Sequence, residues 1–397
     1  MLLKKFAAAL AVLLLAGAAQ AQGPARTAKI QAKPKASSVD NSAADLLPAD
    51  PAATPETRML LANLHRLLRK GVMFGHQDDL AYGLDKSGQR WVGDANRSDV
   101  KSVTGSYPAV YGWELGHVEL DSARSLDAVP FAKIRDYVQQ VYARGGINTI
   151  SWHLNNPHNG KTAWDTARTV RYLLPGGPDH AKYVAYLDRL GSFLGSLKGS
   201  KGEAIPVIFR PFHEHTGHWF WWGEEACTAA EYKQLWQFTI TYLREKRQLH
   251  NLLTAYSSAE AENPEHYLRF YPGDAFVDVL GFDAYYFGDG SAYAKQMATQ
   301  LPILRDAALA HHKLPALTET GFERLPAADW WTKTLLPSIA GYQLSYALVW
   351  RNGRPDHYYA PYPGQVSATD FKQFYQQKAI LFEDKLGPLR IYAALLK

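Results

Sequence analysis

The sequence predicts an α/β protein built as a single (β/α)8 TIM barrel. Eight short apolar segments lie along the chain, helical patterns or loops separate them, and polar residues follow most of them. Parallel strands joined by helices are buried on both faces, so they appear in a sequence as nearly continuous apolar runs. Eight such strand–helix units close a barrel. An open doubly wound sheet is the structural alternative.

The beginning of the chain is typical of an exported protein. Lys4 and Lys5 precede an apolar run that ends in an A-x-A pattern, which predicts a signal peptide over residues 1–21. No cysteine lies near the cleavage point, so we expect a secreted or periplasmic protein without a lipid anchor or membrane insertion. Residues 22–55 are rich in Ala, Pro, Lys and Ser, which predicts a flexible linker before a catalytic domain over residues 56–397.

The predicted domain opens with a helix and continues with the candidate strands. Thr54 is a plausible helix cap, Pro55 fits the first helical position, and leucines recur after them at helical spacing. The eight strands are predicted over residues 72–75, 109–115, 147–154, 205–214, 251–258, 277–286, 314–321 and 346–352.

Helix signals lie between several of these strands. Residues 130–144 have a helical pattern that Gly145 would end, and Thr228 with Glu231 forms a capping box before another helical stripe. No internal repeat is apparent that would indicate a solenoid or a propeller.

Polar side chains cluster at the carboxyl ends of the predicted strands. They are His76, Glu114, His153, His213, Glu214, Asp283, Tyr285, Glu319, Trp350 and Arg351. The strands of a (β/α)8 barrel converge with these ends on one mouth, where active sites of the fold are built. The sequence therefore predicts a polar cleft at that mouth.

Two of these residues are glutamates on opposite sides of the predicted ring. Glu214 ends the fourth strand and Glu319 ends the seventh. A retaining glycosidase needs two carboxyl groups about 5–5.5 Å apart, one ionised for attack and one protonated to release the leaving group. A lone glutamate at a strand end is more often a structural ion-pair residue, but two that face each other favour catalysis. The residues alone do not say which glutamate is the nucleophile.

Composition argues against several other functions. Cys227 is the only cysteine in the sequence, which excludes an internal disulfide and a cysteine-based zinc cluster. A formal net charge of +5 is too weak to indicate a nucleic-acid partner. His213 and His215 would share one side of a strand, but no further set of metal ligands is recognisable. We expect no metal and no cofactor, since acetal hydrolysis by carboxylates needs none.

Six motifs along the predicted barrel carry a family resemblance. They are VMFGHQ (72–77), SWHLNNP (151–157), FRPFHEHTGHWFWWG (209–223), GFDAYY (281–286), LTETG (317–321) and LVWRN (348–352). Together they resemble glycoside hydrolase family 26, from about residue 57 to the C-terminus. That family consists mostly of β-mannanases with a retaining mechanism on a (β/α)8 barrel. The His-Glu pair is specific, because most related barrel glycosidases carry Asn-Glu there.

The resemblance implies roles for individual residues. Glu214 is similar to the acid/base, Glu319 to the nucleophile, and His213 to the neighbour that orients the acid/base. The hydroxyl of Tyr285 is similar to one that holds the nucleophile. Further candidate substrate-binding residues are His76, His153, Trp164, Trp219, Trp350 and Arg351. At position 215 this chain has His where family members often have Asn.

These features lead to one expected function and several alternatives. The resemblance favours an endo-acting β-mannanase that cleaves β-1,4-mannosidic linkages in mannan, glucomannan or galactomannan by double displacement. The expected partner is β-mannan or a manno-oligosaccharide. Alternatives within the fold are an exo-acting mannobiohydrolase that releases mannobiose from chain ends, and a hydrolase of β-glucan or β-1,3-xylan. A non-catalytic glycan-binding protein is less consistent with two mutually repelling carboxylates in one cleft.

Overall fold

The structure is a computed structural model that describes residues 46–393, except for the side chain of Pro388. All described residues belong to one compact unit. The predicted signal peptide, residues 1–21, lies outside the described residues and stays a prediction. None of the helices in the described part of the chain has the length and hydropathy that a membrane span requires.

Eight parallel strands close into a barrel. In chain order, the strands are β1 (Val72–Gln77), β2 (Tyr82–Leu84), β3 (Arg90–Val92), β4 (Val110–Glu114), β5 (Ile147–Trp152), β6 (Val207–Pro211), β7 (Leu252–Ser258), β8 (Val279–Tyr286), β9 (Leu314–Phe322), β10 (Tyr346–Val349) and β11 (Ile380–Leu381). Strands β1 and β4 to β10 pair in sequence order, and β10 pairs with β1, which closes the ring. All eight predicted strands are thereby confirmed, and the open-sheet alternative is wrong.

Most of the helices connect consecutive barrel strands, whereas one precedes the first strand and two follow the last barrel strand. The helices are α1 (Pro55–Leu67), α2 (Asp99–Thr104), α3 (Phe131–Arg144), α4 (Val170–Leu173), α5 (His180–Gly195), α6 (Ala229–Thr241), α7 (Pro264–Leu268), α8 (Gly290–His311), α9 (Leu336–Ile339), α10 (Ala368–Tyr375) and α11 (Glu383–Leu386). The predicted caps are confirmed: Thr54 accepts a hydrogen bond from the Thr57 N–H, and Thr228 and Glu231 form the capping box.

Helix α1 packs against the amino-terminal end of the barrel. Each barrel strand contributes an apolar residue near its first position, and these residues form one buried cluster with the leucines of α1. One such residue from each strand is, in order, Met73, Val110, Ile147, Ile208, Leu253, Val279, Leu314 and Tyr346. Because this end is packed with apolar side chains, polar chemistry is confined to the opposite, carboxyl-terminal end.

The chain before α1 already lies against the barrel. The Ala49 N–H donates to Asp278 Oδ1 at 2.6 Å, and the imidazole of His250 is 2.8 Å from Asp50 Oδ2. The Thr54 N–H donates to the backbone carbonyl of His250. Ordered contacts therefore begin upstream of the predicted boundary at residue 56, because buried polar partners hold this segment. The rest of the predicted linker lies outside the described residues.

Candidate active site

Glu214 and Glu319 meet at the carboxyl-terminal mouth of the barrel. Glu319 lies on β9 and is buried, whereas Glu214 lies just beyond β6 and is half-buried. One carboxylate oxygen from each of Glu214, Glu319 and Asp283 lies within 4.8 Å of the other two. This proximity fits the spacing of about 5–5.5 Å between the carboxyl groups of a retaining glycosidase.

The backbone around Glu214 differs from the sequence prediction. The strand was expected to continue through residue 214, but β6 ends at Pro211. Phe212 (φ 48°) and Glu214 (φ 53°) adopt left-handed conformations that cannot continue a strand. His213 and His215 consequently do not share a strand face as expected. The Glu214 N–H donates to the Ser257 carbonyl at 2.9 Å, which anchors this turn to β7.

Glu319 is held by two donors. The Arg210 guanidinium donates to Glu319 Oε1, and the Tyr285 hydroxyl donates to Oε2 at 2.6 Å. Burial raises the pKa of Tyr285 well above its ordinary value, and the charge of Glu319 raises it further, so the phenol keeps its proton and remains a donor. Both contacts suit an ionised carboxylate, because each supplies an N–H or O–H to it.

Arg210 also links Glu319 to a third carboxyl group. Its Nη1 donates to Asp283 Oδ2 at 2.9 Å, and the Thr318 hydroxyl donates to Asp283 Oδ1 at 2.6 Å. Burial raises the pKa of Asp283 to about 7, against the opposing effect of Arg210. The Arg210 guanidinium therefore provides a positive charge to two of these three carboxyl groups. A role for Arg210 was not predicted, although this residue lies within the FRPFHEHTGHWFWWG motif.

Glu214 has the opposite electrostatic environment. Burial raises the pKa of Glu214 well above its ordinary value, and the negative charges of Asp283 and Glu319 raise it further. Trp219 Nε1–H donates to Glu214 Oε2 at 2.7 Å. This bond lowers the pKa of Glu214, but its effect is smaller than that of burial or of either negative charge. Glu214 is therefore suited to carry a proton near neutral pH, as a general acid must.

A buried chain of side chains lies beside the carboxylate pair. Glu114 Oε2 is 2.7 Å from His153 Nδ1, and His153 Nε2 is 2.9 Å from His213 Nε2. Burial opposes protonation of His153, but Glu114 raises its pKa above the ordinary value. Burial and the positive charge of Arg210 lower the pKa of His213 well below its ordinary value. A neutral His213 therefore accepts, at its Nε2, a hydrogen bond from the Nε2–H of His153.

Comparison with known proteins identifies the family. The sequence profile of Glycosyl hydrolase family 26 matches residues 49–320. The chain belongs to this family. A solved β-mannanase of family 26 from Bacteroides ovatus is 49% identical, with a TM-score of 0.82 over 86% of this chain and 98% of that chain. A modular endo-β-1,4-mannanase from Cellulomonas fimi is 32% identical, with a TM-score of 0.79 over 88% of this chain and 80% of that chain.

A curated relative of this family 26 chain is considerably longer. The mannan endo-1,4-β-mannosidase of Bifidobacterium adolescentis is 34% identical over 368 residues, which is 85% of this chain. The aligned region is only 35% of that relative's own length.

Aromatic rings line the cleft of this family 26 hydrolase. Trp164 is 51% exposed and stacks in parallel on His153, with ring centroids 5.3 Å apart. Trp219 and Trp350 are half-buried, and the Trp350 ring lies 6.3 Å from His153. Arg351, which follows Trp350, pairs with Asp127 at 3.1 Å. Flat exposed rings near polar groups suit the binding of sugar faces.

Other predicted residues lie below the cleft surface. His76 is 1% exposed, and its Nδ1 is 2.7 Å from Asp79 Oδ1, so a polysaccharide cannot reach the ring in this conformation. Trp221 and Trp222 are fully buried and donate to the backbone carbonyls of Leu154 and His213. These two rings therefore contribute to packing and not to the cleft surface. Cys227 is buried.

Proposed function

We propose that this chain is an endo-acting β-mannanase that hydrolyses β-1,4-mannosidic linkages with net retention. The observation that carries the proposal is the approach of Glu214 and Glu319, whose carboxylate oxygens lie within 4.8 Å. The mannanase names of the relatives from Bacteroides ovatus, Cellulomonas fimi and Bifidobacterium adolescentis support mannan as the substrate.

In the first step, Glu319 attacks the anomeric carbon and forms a covalent glycosyl ester. The bond between that carbon and the leaving oxygen breaks, and the Glu214 proton moves to this oxygen. Tyr285 and Arg210 hold the attacking carboxylate in place through their contacts with its two oxygens. The leaving sugar departs as a neutral alcohol.

In the second step, Glu214 acts as a general base instead of a general acid. Formation of the ester removes the negative charge of Glu319, which is one of the causes of the raised pKa of Glu214. The pKa of Glu214 therefore falls, and its carboxylate takes a proton from water as the water attacks the ester-linked carbon. Release of the sugar restores both carboxyl groups to their starting states.

A substrate panel tests the proposed specificity. We expect release of reducing ends from mannan, glucomannan and galactomannan, with early products of mixed length, and little release from β-glucan or β-1,3-xylan. Accumulation of mannobiose alone from the start would instead support chain-end action. Preferential cleavage of β-glucan or β-1,3-xylan would contradict the mannan assignment.

The nucleophile assignment is tested by Glu319→Gln. The amide retains the shape and accepts hydrogen bonds, but it cannot attack carbon, so kcat on mannan should fall about a thousandfold or more. Circular dichroism provides the control for folding. Activity within about tenfold of the unaltered protein would overturn the assignment.

We also propose that the protein is exported, on the basis of the charged and apolar pattern over residues 1–21. N-terminal sequencing of the protein recovered outside the inner membrane should begin after Ala21. Retention of the full N-terminus in a cytoplasmic fraction would refute export.

A further inference from the structure

We propose that His215 is a positioning residue for the acid/base, acting through the carbonyl oxygen of Ser257. This inference rests on the proposed function of Glu214 as the proton donor. The two consecutive residues Glu214 and His215 bind the same carbonyl, one through its backbone and one through its side chain.

The contacts define a clamp, formed by Glu214, His215 and the Ser257 carbonyl. The Glu214 N–H donates to this carbonyl at 2.9 Å, and His215 Nδ1 lies 3.1 Å from the same oxygen. Ser257 lies on β7, so the clamp ties the turn after β6 to a neighbouring barrel strand. One bond would leave the Glu214 peptide free to rotate about that contact, whereas two bonds from adjacent residues fix its orientation.

The clamp determines the tautomer of His215. A carbonyl oxygen accepts only, so the Nδ1 of His215 carries the hydrogen and Nε2 does not. Burial lowers the pKa of His215 to about 3, although the bond to Ser257 acts in the opposite direction. His266 and Arg269, which pair with Glu224, are the charged neighbours that lower it further. The ring therefore stays neutral across the range in which the enzyme would work.

The need for a second bond follows from the backbone of Glu214. Its φ of 53° lies in the left-handed region, which is strained for a residue with a side chain. Aromatic rings surround the imidazole, with Tyr256 at 4.4 Å, Tyr232 at 5.0 Å and Phe270 at 5.5 Å between centroids. This packing holds the ring, and the ring in turn holds the carbonyl against which Glu214 is placed.

Ser257 connects the clamp to the other catalytic carboxylate. Its hydroxyl accepts a hydrogen bond from Arg210 Nη1 at 3.2 Å, and the same guanidinium donates to Glu319. One residue of β7 therefore contacts both the acid/base turn, through its carbonyl, and the cation that holds the nucleophile, through its hydroxyl. A fixed Ser257 therefore keeps the carboxyl groups of Glu214 and Glu319 in a constant position relative to each other.

Two substitutions separate positioning from packing. Asn places an amide nitrogen where His carries Nδ1, so His215→Asn keeps the donor but loses the ring. His215→Phe keeps a ring against the surrounding aromatic side chains but has no donor. If His215 serves only the core, His215→Phe is the more stable and the more active variant. If His215 positions Glu214, His215→Asn is the more active variant, although His215→Phe is still the more stable one.

The measurement compares two manno-oligosaccharide substrates with different leaving groups. Values of kcat/KM report only the steps up to ester formation, so the later base step of Glu214 does not enter. With a sugar as leaving group, we expect His215→Phe to lose about tenfold to a hundredfold, because a misplaced acid transfers its proton poorly. With an aryl leaving group of low pKa, which needs no proton, the loss should be about threefold or less. His215→Asn should stay within about threefold on both substrates.

Several results would overturn the inference. One such result is that the variant with the higher thermal stability is also the more active one. Another is that His215→Phe loses kcat/KM equally with both leaving groups. Inactivity of the unaltered protein toward both substrates would refute the proposed function, and with it this inference. Activity of the unaltered protein with the wrong order of variants would refute only the role of His215.

A measurement on the unaltered protein keeps the test independent of variant folding. In nitrogen-15 NMR spectra of histidine-labelled protein, His215 should show protonated Nδ1 and unprotonated Nε2 at neutral pH. A hydrogen on Nε2 instead would mean that the clamp does not form, and the role of His215 would be refuted.

Discussion

Two carboxyl groups of the same chemical type receive different environments at this site. Glu319 is bound by a guanidinium and a phenol, whereas Glu214 receives one indole N–H and faces two other carboxyl groups. The first environment suits a negative charge and the second suits a bound proton. These contacts support the proposed assignment of Glu319 as nucleophile and Glu214 as acid, which strand position alone left open.

Trp219→Phe tests this electrostatic argument. The indole N–H favours the ionised form of Glu214, so its removal should raise the pKa of Glu214 further. Because the acid form is the active one, the basic limb of the kcat/KM profile should move to higher pH. Trp164→Phe is the matched control: that ring contacts His153, and its loss should lower activity without moving this limb. A basic limb that stays in place or moves down in Trp219→Phe would contradict the argument.

The sequence predicts the catalytic candidates better than it predicts the residues that hold them in place. Glu214, Glu319 and Tyr285 follow from strand ends and motifs. Arg210 and Ser257 do not, because a charged or polar residue within an apolar strand has no signal that specifies its partners. His76 was predicted to contact substrate from its position at a strand end, but its ring is buried and its Nδ1 is bound to Asp79.

At the scale of elements, the barrel strands set the spacing of the site. Asp283 on β8 and Glu319 on β9 are direct partners in the register of the two strands, where the pairing shifts at a bulge between Phe282 and Asp283. The apolar runs predicted all eight strands, because buried parallel strands need them. The end of β6 was not predictable in the same way, since Phe212 and Glu214 are not residues that normally mark a left-handed turn.

Gly281→Ala tests how strand packing supports the site. A Cβ at this position would lie 2.6 Å from both Cγ2 and Oγ1 of Thr318, whose hydroxyl donates to Asp283. We expect the free energy of unfolding to fall by about 1–3 kcal/mol, as overpacking does elsewhere, with a clear loss of kcat. Gly195→Ala is the control, because its Cβ would meet only Leu249 at 3.5 Å. Unchanged stability and activity in Gly281→Ala would contradict this support.

At the scale of the whole molecule, the barrel has an apolar end and a charged end. The cluster around α1 stabilises the fold, while burial of acidic groups at the mouth costs stability. Closure into a ring was predictable from the number of strands. The packing of residues 46–54 was not, because their composition resembles a linker and their partners, such as Asp278, lie far away in sequence.

Glu214→Gln measures the stability cost of the site. The folded protein keeps the Glu214 proton at pH values where the unfolded chain has lost it, since burial raises the folded pKa. The free energy of unfolding of the unaltered protein therefore falls as pH rises from the ordinary glutamate value toward the raised one. The uncharged amide removes this dependence, so its gain in Tm should grow as the pH rises above the ordinary glutamate pKa of about 4.3. A gain that is constant or shrinks as the pH rises would contradict the raised pKa.

The stereochemistry of the first product tests the central claim most directly. An inverting enzyme needs room for a water molecule between its two carboxyl groups. The carboxylate oxygens of Glu214 and Glu319 lie within 4.8 Å, which leaves no such room. Proton NMR during early hydrolysis of a manno-oligosaccharide should therefore show the β-anomer of the new reducing end before mutarotation. Appearance of the α-anomer first would contradict attack by Glu319 and the double displacement built on it.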